Sequence, residues 1–89
     1  PTAAKNYQQS KEQQRAQRKL EREVEKLESD MESLEAKVSA VQEQMTAPEV
    51  LSDYVKVQTL QTKLDELNQQ ASAAEDAWEE ASLKLEEFE

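Results

Sequence analysis

At 89 residues the chain has room for one small domain, and 36 % hydrophobic with 4 % aromatic residues are too few for an ordinary globular core. Charged residues make up 35 %, the net charge is −9, and glycine, cysteine and histidine are absent. That balance excludes a disulfide framework, a thiolate metal site and a glycine-built Walker A phosphate loop.

Residues 1–5 carry no strong pattern and are expected to fray. From about Tyr7 the sequence favours helix, with Gln, Lys, Glu, Arg and Ala abundant and no breaker before Pro48. Lys11, Arg15, Arg18 and Arg22 follow at steps of 4, 3 and 4, which sets four cations on one helical face. Residues 1–19 hold five basic side chains against Glu12 alone, a net of +4; residues 20–89 hold six basic and nineteen acidic ones, a net of −13. The two parts therefore meet different surroundings.

An unbroken heptad seam begins at Leu20 and runs through Val24, Leu27, Met31, Leu34, Val38 and Val41 to Met45, in steps of 4 and 3. A period of 3.5 keeps one narrow stripe facing a partner helix. Upstream of Leu20 the same positions are Ser10, Gln13 and Gln17, so there the helix should outrun its partner or fray. Pro48 cannot continue the backbone ladder, so the first helix should end near Met45 or Thr46. Thr46, Ala47, Pro48 and Glu49 fit a capping box, with Thr46 capping a new turn and Glu49 reaching back. A short helical turn is expected at about 48–51, with Ser52 or Asp53 capping a second long helix. Val50, Leu51, Tyr54, Val55 and Val57 are too apolar for a free loop, and some of them should fold into a small tip core.

The second helix carries its own seam: Leu60, Leu64, Leu67, Ala71, Ala74, Trp78, Ala81, Leu85 and Phe88. In an antiparallel pair the numbers of facing residues share a constant sum. A sum of 105 matches all eight positions of the first seam, from Leu20 with Leu85 to Met45 with Leu60. Several of these pairs set a large side chain against a small one, as Val24 with Ala81, Met31 with Ala74 and Leu34 with Ala71 do. Glu23 near Lys84 also favours this register, as a modest preference. The expected fold is all-α: an antiparallel two-helix coiled-coil hairpin with a short helical turn at the tip. The first helix spans about 7–46, the tip 47–52 and the second helix about 53–87, as one domain over 1–89. A start at Pro1, not Met, is expected of a segment from a longer protein.

The order of these pieces resembles a known family. Tyr7-Gln-Gln-Ser-Lys-Glu-Gln opens a helix in the basic segment. An acidic heptad helix follows, then Ala47-Pro48-Glu49-Val50-Leu51-Ser52-Asp53-Tyr54, then a second heptad helix that reaches Trp78-Glu79-Glu80. This is similar to the C-terminal domain of ABC-F proteins, ATP-binding-cassette ATPases with two nucleotide-binding domains and no membrane spans. The resemblance implies a cytoplasmic protein that works on or near the ribosome in translation. It also implies DNA binding, which has been ascribed to this domain in some members, and ATP bound only in the upstream domains.

The chain itself is expected to be no enzyme and to hold no cofactor or metal, because a two-helix hairpin offers no pocket in which carboxylates converge. Trp78, Met31 and Met45 are read as seam fillers and Tyr54 as tip packing. The candidate nucleic-acid-binding residues are Lys11, Arg15, Arg18 and Arg22, with ribosome or nucleic acid as partner, no membrane, and a monomer in isolation. Lys56 and Lys63 near the tip are secondary candidates. The alternative is a structural coiled-coil segment that mediates association between proteins.

Overall fold

Once a helix has nucleated, each further good helix former extends it at little cost, and alanine, lysine and glutamine extend it best. In the computed structural model, which describes residues 2–89, this carries the first helix, α1, from Thr2–Gln44 without a break. The helix thus takes in residues 2–5, which the sequence leaves frayed; Pro1 lies outside the described residues. A four-residue turn, α2 (Pro48–Leu51), and a second long helix, α3 (Tyr54–Glu86), complete the chain. With so short a link, α3 can pack on α1 only by running back along it, so the pair is antiparallel. The molecule is a rod of 75 × 16 × 14 Å. Its radius of gyration is 21.0 Å, against about 12 Å for a compact chain of this length.

The heptad seams are the interface. Every seam residue from Leu20 to Met45 and from Leu60 to Phe88 is buried or half-buried, while most of the residues between them are exposed. Val41, Leu67 and Ala81 are the most enclosed, at 3 %, 7 % and 4 % exposure. Shallow grooves beside the seam show which residues of the two helices lie near one another. Leu34 borders one with Gln70 and Ala74, Val41 borders a second with Lys63 and Leu67, and Val38 borders a third with Asn68 and Ala71. Each of these residues sits beside chain neighbours of the partner assigned by the 105 register. A slip of one heptad in either direction would carry it past them.

Trp78 takes its seam place half-buried, and its indole N–H is enclosed without a hydrogen-bond partner. Cysteines at Leu20 and Leu85 are expected to crosslink within one chain on mild oxidation; crosslinks only between chains, read by denaturing mass analysis, would contradict this pairing.

Charge contributes little to the register. The ion pairs among the described residues are Lys26 with Asp30 at 3.0 Å and Lys84 with Glu80 at 3.3 Å, each one turn apart on a single helix and exposed. Lys84 thus turns to its own helix and not to Glu23. Glutamate placed before lysine at this spacing is the favourable order for a helix, and crossing the interface would add only an exposed pair of small value.

The link differs from its capping-box reading. The last turn of α1 tightens, with Thr46 N–H donating to the Glu43 carbonyl at 3.1 Å and Ala47 N–H to that of Gln44 at 3.3 Å. The Thr46 hydroxyl donates backwards to the Glu43 carbonyl at 2.7 Å. It therefore closes α1 and does not start α2. Pro48 begins α2, which makes Ala47 its N-cap, and alanine has no side chain to cap with. Of the two candidates for capping α3, Asp53 does it. Its carboxylate accepts from Val55 N–H at 3.1 Å and Lys56 N–H at 3.3 Å. Asp53→Ala should cost about 1 kcal/mol, read as a lowered midpoint in urea with an unchanged slope.

The expected tip core is only partly built. Val50 and Val57 are half-buried, but Leu51, Tyr54 and Val55 stand 64 %, 75 % and 70 % exposed. Val57 continues the face of Leu60 and Leu64 at heptad spacing, whereas positions 51, 54 and 55 fall on the outer arc. A single four-residue turn has no second layer with which to cover them.

Candidate nucleic-acid interface

At the opposite end of the rod α1 outruns its partner. The register sets Phe88 opposite Gln17, and Phe88 is half-buried in a shallow concavity with Gln9, Gln13 and Ala16. Because α3 ends at Glu86, opposite residue 19, the part of α1 before that point has no helix alongside it. An apolar seam could not stand there in water, and the sequence supplies Ser10, Gln13 and Gln17 instead.

Lys11, Arg15, Arg18 and Arg22 lie across this junction, and all four are exposed. At about 100° and 1.5 Å per residue they fall within an arc of about 60° and span about 16 Å. Lys11 Nζ lies 6.0 Å from the Tyr7 ring centroid, at the outer limit of a cation–π contact. The Arg18 guanidinium donates to Gln14 Oε1 at 3.5 Å. None of the four makes an ion pair among the described residues. A row of unpaired cations on a continuous helix can neutralise a run of phosphates, because each contact releases condensed counterions.

The cationic row is thus brought together as its spacing predicts. Tyr7 belongs to the same face and is 63 % exposed. It stands four residues before Lys11, so the spacing rule that finds the cations also finds the ring beside them. Lys56 and Lys63, the secondary candidates, lie at the far end of the rod. Among the described residues no group of carboxylates is placed to hold a metal ion, and no helix is long and apolar enough to cross a membrane.

Compared with known proteins, residues 11–82 match a family model described as the ABC transporter C-terminal domain. No curated protein and no solved structure matches the chain.

Proposed function

The chain belongs to the ABC transporter C-terminal domain family, and from that premise we propose that it is the non-catalytic C-terminal hairpin of a cytoplasmic ABC-F ATPase that touches the ribosome or another nucleic acid with its base. The observation that supports this reading is the exposed row of Lys11, Arg15, Arg18 and Arg22 without ion pairs among the described residues, most of it within residues 1–19, which carry a net charge of +4. Residues 20–89, at −13, are repelled by phosphate, so the stretch of α1 that outruns α3 is where a polyanion would settle. In this reading ATP is bound and hydrolysed by upstream domains, and the paired body is a spacer.

The alternative, a scaffold segment that associates through its heptads, has less support. Both seams are already spent against each other within one chain. Light scattering at micromolar concentration should accordingly return the mass of a monomer.

The binding reading is tested with this chain on ribosomes, and separately on duplex DNA, across a salt series. Four phosphate contacts give a slope of log affinity against log salt of about −3.6 for duplex DNA. A flat dependence on both ligands, or no binding to either at low salt, would remove the proposal.

A further inference from the structure

The tip carries the other exposed apolar cluster. Leu51, Tyr54 and Val55 are adjacent there and largely exposed. Beside them lies a mainly apolar concavity of 290 Å³ formed by Val50, Val55, Lys56, Thr59 and Leu60, room for one or two large aliphatic side chains. Of the charged residues near the tip, Glu49, Asp53, Lys56 and Lys63, only Lys56 borders this concavity. The Asp53 carboxylate is engaged by backbone N–H groups at the start of α3, and Lys56 makes no ion pair among the described residues. Lys56 is thus the one charged residue that borders the apolar hollow, where the Thr59 hydroxyl is already engaged with the Val55 carbonyl.

We propose that the hairpin tip is a docking point for a protein surface that presents an aliphatic side chain flanked by a carboxylate. The aliphatic group fills the hollow between Val50, Val55 and Leu60, and the carboxylate meets Lys56. This goes beyond the phosphate-binding base and does not rest on it. A second copy of the chain is a poorer occupant. It brings a second ammonium to the same hollow and a net charge of −9 to another of −9. The three exposed side chains also offer far less than the roughly 800 Å² per partner of a standard interface. Nucleic acid is poorer too, because Tyr54 is the single aromatic ring at the tip, too few for a platform on which successive bases could stack. So small a contact binds weakly on its own.

The test is nuclear magnetic resonance on the isotope-labelled chain. It is run at about 0.15 M salt, where a Debye length near 8 Å screens most of the acidic body from the tip. The probes are a blocked peptide with one leucine between glutamates, its counterpart with lysines for glutamates, and a short RNA. The expected result is amide shifts confined to the tip with the acidic peptide, with at least about threefold weaker tip binding of the basic one. K56E should reverse that preference, and Val55→Ser should weaken both peptides without altering the fold, since Val55 is exposed. Absence of tip shifts with the acidic peptide, equal affinity for both peptides, an unchanged preference in K56E, or stronger tip shifts with RNA would each overturn the proposal. So would concentration-dependent dimerisation through the tip.

Discussion

Leu67→Ala is expected to lower the stability of the hairpin by about 2–4 kcal/mol, the usual range for truncating a buried leucine. Leu67 is 7 % exposed, in the middle of its seam, where fraying of the helix ends gives no relief. It lies opposite Val38, so no larger neighbour is poised to fill the space it leaves. Among the described residues only Val41 and Ala81 are as enclosed, and both are smaller. A chain this short has a total stability of about 4–13 kcal/mol at the usual value per residue. The loss would therefore be a large share of the whole. At about 4–8 °C per kcal/mol for small domains, the melting temperature should fall by roughly 10–30 °C, as followed by circular dichroism. Leu83→Ala is the control. Leu83 is 56 % exposed, and its loss should stay within about 0.5 kcal/mol. Equal melting temperatures for the two variants would mean that the seam does not carry the fold.

Replacing Lys11, Arg15, Arg18 and Arg22 together with glutamine is expected to abolish most of the salt-dependent binding to phosphate. Four contacts at a slope near −3.6 correspond to about a hundredfold change in affinity between 50 and 200 mM salt. The variant should bind at least about tenfold more weakly at the lower concentration, with a visibly flatter line. Glutamine keeps the helix propensity, and none of the four side chains is in the seam, so the melting temperature should barely move. That separates lost charge from lost fold. Superimposable salt curves for parent and variant, on ribosomes and on duplex DNA, would return this face to the role of a solvated helix start.

The seam was legible from spacing alone because period and burial are the same physics in a two-helix rod. A stripe that recurs every 3.5 residues has only one way to leave water, and eight consecutive pairs admit only one register without breaking. The cationic face was legible for the same reason. The tip was not. Composition says that Val50 to Val57 is apolar, but burial there depends on which arc of α2 and of the first turn of α3 faces the seam, and Leu51, Tyr54 and Val55 lie on the outer arc. Thr46 was misread because its hydroxyl had two backbone targets within reach. Pro48, by starting α2 itself, left only the Glu43 carbonyl. The Glu23 and Lys84 pairing failed to a competitor on the same helix, Glu80, whose distance from Lys84 does not depend on how the two helices meet.

The antiparallel register also orders events in time. Met45 and Leu60, next to the tip, are separated by 15 residues of chain, and Leu20 and Leu85, at the base, by 65. Closing the first of these loops is the one costly step, since its entropy must be lost before any seam contact rewards it. After that each pair brings the next within reach, and the hairpin zips from the tip towards the base. Changes to the turn, at Asp53 or Pro48, should then act mainly on the rate of folding, whereas changes near Leu20 and Leu85 should act mainly on the rate of unfolding. α1 begins and α3 ends at the base, so a force drawing those two ends apart would peel the seam open one pair at a time, never shearing the whole interface at once.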